Sequence, residues 1–400
     1  MNNTGSAFLQ VSEISTKEER YEPFGWYREM RSKTPVRYDE ARGVWDVFRY
    51  EDVKFVLENK DVFSSSRSQS SQKSPIEQSL ISIDPPKHTA MRSLVNKAFT
   101  PRAMKDWEPR IERIVRELLD DIQPGKETDV VAALSSPLPV LVIAELMGIP
   151  SHDHAKFKEW SDWVVAGPKD NSAEELQKLA ENQMRTYREL YEYFAKTISF
   201  KKTEPADDII SVLVRSEIDG EKLTDEEIIG FCILLLVAGN ETTTNLISNT
   251  LYSFIEYPDE YKKVKKDPDL YLKSAIEEGL RYRSPVQSMS RVAKEDVEIS
   301  GTFISKGSFV FAWMGSANRD EDVFEHAHLF IADRKPNPHL AFGKGIHFCL
   351  GSPLARMEAE IVLREWIKKF PDFGLSSDFE LNPIESTFVY GLKELKVKTS

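Results

Sequence analysis

The chain has 400 residues, 40% of them hydrophobic and 10% aromatic, with a formal net charge of −12. That is enough apolar material for one large buried core, and the acidic balance argues against a general nucleic-acid binder. Two cysteines, Cys232 and Cys349, exclude a disulfide framework and suit a reducing, cytoplasmic compartment.

Residues 1–20 are polar and hold no apolar h-region, so neither a signal peptide nor an anchor is expected there. They read as a flexible N-terminus, followed by a single domain over 21–400. Residues 36–38 and 44–48 alternate around Glu40-Ala41-Arg42-Gly43, which predicts a β-hairpin, and 50–57 predict a short helix. Residues 63–80 are rich in Ser and Gln without periodicity and read as a surface loop. Pro85 and Pro86 then set the entry to a helix. On it His88 and Arg92 are one turn apart, two cationic donors suited to a pair of carboxylates or simply to a solvated face. Residues 107–167 read as amphipathic helices, with an apolar, buried one over 140–147. Residues 172–200 read as a long charged helix.

Thr224 and Glu227 form a capping box that opens the longest helix. Residues 228–237 are apolar all round, so this helix is buried. Ending near Tyr257-Pro258, it spans roughly 45–50 Å. Its longest apolar run, 228–238, falls short of the ~20 residues of a membrane span. In its middle stand Ala238-Gly239-Asn240-Glu241-Thr242-Thr243-Thr244. A carboxylate and hydroxyls in a core helix are costly unless hydrogen-bonded. They form either a structural polar cluster or a place to hold water and move protons. Glu278 and Arg281 are i and i+3 on a helix that Pro285 ends. Residues 301–311 alternate as strand, and the proline-rich stretch 333–340 is irregular.

That stretch leads to Phe342-Gly343-Lys344-Gly345-Ile346-His347-Phe348-Cys349-Leu350-Gly351, just ahead of a helical pattern that begins with Pro353 in its first turn. The helix dipole lowers the pKa of a thiol placed there. A zinc site lacks nearby partners and a C-x-x-C-H motif is absent. A nucleophile with His347 as its base and the single axial ligand of a haem iron both stay open on these residues.

The pattern Phe342-Gly343-x-Gly345-x-His347-x-Cys349-x-Gly351 resembles the haem-binding loop of the cytochrome P450 superfamily, and Ala238-Gly239-x-Glu241-Thr242 and Glu278-x-x-Arg281 resemble its other motifs, in the family's order. The resemblance covers residues 21–398. It implies a mainly α fold with a minor β region, a single domain whose long central helix crosses over a buried haem b. Cys349 would be the axial ligand. His88, Arg92, Arg291 and His347 would hold the propionates, with Ala238, Phe342 and Gly351 against the haem. Glu241 and Thr242 would be the acid and alcohol that activate oxygen, and Glu278, Arg281 and Arg334 a structural trio. Ile81, Val165, Val237, Val286 and Phe388 would line the substrate pocket together with Ala238, and Ile83, Gln287 and Val389 would lie close to it. The helices near Val165 and over 172–200 would form its lid.

The activity implied is hydroxylation of a small hydrophobic substrate by O2: a steroid, a vitamin D-like secosteroid, a terpenoid or a fatty acid. NAD(P)H would act only indirectly, through a separate ferredoxin or flavodoxin with its reductase, docked at Lys344 and Arg356. The enzyme would be a monomer without a membrane anchor. A peroxide-driven peroxygenase and a non-catalytic haem sensor are the alternatives. The Glu241-Thr242 pair argues against both, since neither requires a proton relay.

Overall fold

The computed structural model describes residues 11–67, 79–166, 172–218, 220–386 and 388–399. The first described residues are already part of the fold. Val11 and Ile14 are 1% and 4% exposed and pack with Tyr27, Phe48 and Trp313. Helix α1 (Lys17–Tyr21) opens on a capping box of Thr16 and Glu19. The expectation of a flexible chain to residue 20 is therefore corrected for 11–20. Two apolar residues three apart are too little periodicity to announce a buried segment.

Helix α2 (Phe24–Lys33) leads into the expected hairpin, β1 (Val36–Asp39) and β2 (Val44–Val47), which pairs Val36 with Val47 across Gly43 at φ 68°. Helix α3 (Tyr50–Glu58), strand β3 (Phe63–Ser64) and helices α4 (Lys87–Val95) and α5 (Pro101–Asp120) follow. After β4 (Glu127–Asp129) a π-helical turn (Val131–Ser135) feeds α6 (Pro137–Leu146), apolar and buried as its sequence requires. Helices α7 (His154–Val165), α8 (Ala173–Thr203) and α9 (Ile209–Arg215) and the short hairpin β5 (Glu217–Ile218) and β6 (Glu221–Lys222) precede the central helix.

Helix α10 (Asp225–Glu256) has the predicted capping box, with Thr224 N donating to Glu227 Oε2 at 3.0 Å and Glu227 N to Thr224 Oγ1 at 3.2 Å. It runs unbroken through Gly239 and packs on α6, α7, α8, α9, α12 and α14. By length and composition it could cross a membrane, but here it is the core helix of the fold, with over half of its most apolar stretch buried. Its interior hydroxyls bond back along the helix: Ser248 to the Thr244 carbonyl at 2.8 Å, Thr250 to Leu246 at 2.7 Å and Ser253 to Asn249 at 2.7 Å. Each therefore brings its own acceptor into the core.

Helices α11 (Pro258–Lys266) and α12 (Pro268–Tyr282) return the chain to strands β7 (Met289–Ala293), β8 (Val297–Ile299), β9 (Thr302–Ile304) and β10 (Phe309–Ala312). The larger sheet has the order β1-β2-β10-β7-β3, in which β10 runs parallel to β2 and antiparallel to β7. Short α13 (Met314–Ala317) and a long irregular segment lead to α14 (Ser352–Lys369). Strands β11 (Phe373–Leu375) and β12 (Lys396–Thr399) close a second sheet with β4.

The irregular segment is cross-braced to α12. Glu278 is fully buried and accepts from Arg281 Nε and Nη2 at 2.8 Å each, from Arg334 Nε at 3.0 Å and from Ile331 N at 2.8 Å. Arg281 Nη1 continues to the carbonyls of Asn318 and Ala327 at 2.8 and 2.9 Å. An exposed i,i+3 pair would contribute under about 1 kcal/mol. This buried, fully hydrogen-bonded set is the opposite case, in which removing one member leaves an uncompensated charge and costs about 3–5 kcal/mol.

Candidate active site

The cysteine loop is held by its own backbone. Gly343 N donates to Leu340 O at 2.8 Å, Phe348 N to Gly345 O at 3.1 Å and Cys349 N to Phe342 O at 2.9 Å. Gly343 and Gly345 adopt φ of 70° and 72°, conformations that favour glycine. Gly345 also lies against α3, where an added Cβ would come within 3.0 Å of the Glu58 backbone. From α4, Arg92 Nη2 reaches the Phe348 carbonyl at 2.9 Å.

Between this loop and α10 lies a cavity of about 1440 Å³, counted out to its open mouth. One face carries Cys349, Gly351 and Phe342, and the other carries Ala238, Gly239, Thr242 and Thr243. Arg92, Arg291, Lys344 and His347 stand around it with Ile81 and Val286. Burial pushes the Cys349 thiol up. The N–H groups of Gly351 and Ser352 and the charges of Arg92 and Arg356 pull it down without overcoming burial. The thiol pKa expected to fall beside the helix therefore rises in the protein alone, because desolvation outweighs the dipole.

The cations around the cavity show one common feature. Arg291 is buried, which brings its pKa down to about 10, and among the described residues its polar contact is the Ser290 carbonyl, 2.9 Å from Nη1. Neither Arg92 nor Arg291 has an acidic partner within ion-pair distance among the described residues. His347 lines the cavity with Nε2 buried and without a partner among the described residues. Burial first, then Arg291, His88 and Arg92, bring its pKa down to about 3. His88 stands behind it, ring centroids 4.3 Å apart, with both nitrogens unpartnered among the described residues.

On α10, Thr242 Oγ1 donates to the Ala238 carbonyl at 2.6 Å. Glu241 is turned off the cavity wall toward α7, and its carboxyl is raised by burial and by Asp162, with Lys158 opposing. Asn240 Nδ2 donates to Ser161 Oγ at 2.7 Å and so ties α7 to the helix just before that acid.

Several expectations for the pocket need correction. Val237 is off the cavity and packs on the main core, because the lining positions 231, 234, 235, 238, 239, 242, 243 and 246 follow the helical period and leave 237 to one side. Phe388 packs on Phe311 with centroids 5.4 Å apart, behind the sheet. Gln287 is buried and turned to the Tyr27 hydroxyl at 2.6 Å. Ile83 packs on the main core, and Val389 pairs by backbone with Val286. The side chain of Val165 and residue Thr387 lie outside the described set. Arg356 is not a free docking cation. It holds Glu277 through Nε and Nη2 at 2.7 and 2.8 Å and lies 4.5 Å over the Phe342 ring. Sequence reasoning missed Phe99, Ile143, Phe231, Leu234, Leu235 and Met289 on the wall. Stepping back from Thr242 by three and four residues would have found those on α10. The others come from elements whose approach no local pattern records.

These residues fit the haem that the resemblance implies. One half-buried thiol with N–H donors faces an apolar chamber. The half-buried Arg92, the buried Arg291 and His347, without acidic partners among the described residues, stand where two carboxylates would satisfy them.

The comparisons agree. The family model described as Cytochrome P450 matches residues 3–398. A cytochrome P450 of Bacillus subtilis, YjiB, is 51% identical over 96% of this chain and 95% of its own. The crystal structure of CYP109E1 from Bacillus megaterium in complex with testosterone is similar at TM-score 0.91 and 55% identity, covering 96% of this chain and 100% of that one. Its complex with corticosterone is similar at TM-score 0.88 and 53% identity, covering 96% and 99%. This chain belongs to the cytochrome P450 family and is a haem b monooxygenase, drawing on NAD(P)H through redox partners.

Proposed function

We propose that this enzyme hydroxylates a steroid-sized apolar compound, RH + O2 + two electrons + two protons giving ROH + H2O. The observation that carries this reading is the wall over Thr242. Phe99, Ile143, Phe231, Leu234, Leu235 and Met289 are all apolar, so the wall selects by shape and burial rather than by hydrogen bonds. That a relative at 55% identity was crystallised with testosterone supports the same class of substrate. Terpenoids, secosteroids and fatty acids are the nearest competing substrates.

Haem b, once bound, supplies the oxygen chemistry at its iron. Cys349 would bind its iron through the thiolate sulfur, whose charge the N–H groups of Gly351 and Ser352 would stabilise. Arg92, Arg291 and His347, with His88 behind, would hold the propionates, and Phe342 and Ala238 would exclude water from the two faces. Thr242 would release the Ala238 carbonyl and give its hydrogen bond to the reacting oxygen, while Glu241, its carboxyl raised by burial and by Asp162, would return the proton from the α7 side. Electrons would come from a separate acidic ferredoxin or flavodoxin in the cytoplasm, meeting a monomer near the exposed Lys344.

The test is a titration of the haem-loaded protein with testosterone and corticosterone, followed by the Soret band, with product mass measured after turnover. Displacement of the iron-bound water and a product heavier by one oxygen support the reading. Binding of fatty acids or terpenoids alone, with no response to either steroid, overturns the substrate class.

A further inference from the structure

Arg356 acts on Cys349 yet has no part in the reading above. On α14, Leu354, Ala355 and Glu358 face the cavity, the last of them 1% exposed. Arg356 is off that face and turns toward α12, with its guanidinium over the Phe342 ring. The same Phe342 accepts the Cys349 N–H through its carbonyl at 2.9 Å. Against burial, and alongside the Gly351 N–H, two cations pull the Cys349 thiol down, Arg92 and Arg356.

The two cations are compensated differently. Arg92 has no acidic partner among the described residues and is read as a propionate ligand. Arg356 meets Glu277 of α12 in a two-pronged pair, Nε on Oε1 at 2.7 Å and Nη2 on Oε2 at 2.8 Å. His339 Nδ1 accepts from Ala341 N at 3.3 Å, which leaves Nε2 to donate to Glu277 Oε2 at 3.0 Å. Burial opposes charge on Glu277, but Arg356 and then His339 bring its carboxyl down to about 2, so it is ionised at neutral pH. A planar fork held on both carboxylate oxygens keeps the guanidinium in one place. Glu277 itself adjoins Glu278 of the buried brace, so the anion stands on a rigid element.

We propose that Glu277 and Arg356 are positioning residues that set the reduction potential of the bound haem. Arg356 would be the cation beside the sulfur, and Glu277 the anion that fixes and offsets it. This rests on the reading of Cys349 as the axial ligand. One electron from the redox partner turns ferric iron ferrous and adds one negative charge to the haem and its sulfur, with no bond made or broken. A nearby cation favours that state and a nearby anion opposes it. Arg356 is among the charges that act most on the thiol and Glu277 is not, so the two do not cancel there. Groups that hold and surround the ligand in this way tune a metal centre without touching the metal.

The test is the midpoint potential of the haem-loaded enzyme, followed by spectroelectrochemical titration, together with the reduced carbon monoxide spectrum. Glu277→Gln leaves Arg356 unopposed and is expected to raise the potential. Arg356→Gln is expected to lower it. Each change is expected to alter the ferrous-to-ferric ratio by up to roughly tenfold, about 59 mV for one electron. The double variant is expected to fall between the two single ones. Arg356→Lys, which keeps the charge without the fork, is expected to recover part of the loss. A pair with a structural role alone would lower haem retention without moving the potential in opposite directions. Single variants that shift the potential the same way, or leave it in place, therefore overturn the proposal. The carbon monoxide band keeps the two readings apart. A wild-type enzyme without the red-shifted band overturns the ligand reading and this proposal with it. The band present, with potentials unmoved in the variants, overturns this proposal alone.

Discussion

The two walls of the cavity are built by opposite means. The cysteine side hangs on a saturated polar brace, in which Glu278, Arg281, Arg334, Asn318 and the backbone of the irregular segment account for one another's hydrogen bonds. The facing side is the middle of α10 with α6 and the segments around Ile81 and Phe99. It is apolar, and its polar groups are single hydroxyls such as that of Thr242. A ligand loop must hold one sulfur in one place, and fully paired buried charges specify a single arrangement at high cost of disruption. A substrate wall must accept a molecule by burial, and free hydroxyls near it can exchange partners during a reaction.

This contrast predicts how each wall fails. The largest effect belongs to the ligand. Cys349→Ala is expected to abolish the red-shifted Soret band of the dithionite-reduced carbon monoxide complex while the fold persists, and a retained band would remove Cys349 from the iron. Thr242→Ala comes next. Product is expected to fall by ~10²-fold while NAD(P)H oxidation continues as peroxide, with no loss of melting temperature; full coupling would place the relay elsewhere. On the braced wall, Glu278→Gln is expected to cost about 3–5 kcal/mol in denaturant unfolding and to lower haem retention. A change under about 1 kcal/mol would mean that the brace behaves as an exposed pair.

The smaller effects sharpen the comparison. Leu235→Ala is expected to weaken steroid binding by roughly 10–200-fold, about 1–3 kcal/mol, without altering the reduced carbon monoxide spectrum. A spectral change there would mean that the two walls are coupled. The pH dependence of stability should carry the mark of Glu358. Its folded pKa of about 8 lies above the value of ~4.3 for a free glutamate. The folded state therefore holds the proton more tightly, and stability from this group, full below ~4.3, declines as pH rises toward about 8. In Glu358→Gln the fall in melting temperature over that window should be shallower; an unchanged slope would mean that the carboxyl is ionised in the fold.

How much of this was legible in the sequence depends on how local the cause is. Thr224 and Glu227 announce the start of α10 because a cap is a four-residue event, and Gly43 announces the hairpin turn for the same reason. The glycine-spaced loop around Cys349 is legible because positive φ and close approach to α3 restrict the residue type at Gly345. Val237 and Phe388 were misassigned because a run of apolar residues does not say which face meets a cavity and which meets core. Arg356 looked like a free charge because its partner Glu277 is 79 residues away. Val11 and Ile14 were missed because their burial is created by Trp313 and Phe309, at the other end of the chain.

By itself, then, the sequence determined the caps, the turns, the central buried helix and the spacing of the ligand loop, since these arise from interactions within a few residues. The tertiary structure alone decided which side chains share the cavity, that Glu278 is buried rather than exposed, that burial outweighs the helix dipole at Cys349, and that Glu358 Oε2 is enclosed without a partner among the described residues. Desolvation and pairing depend on what the rest of the chain brings alongside, and no local pattern encodes that.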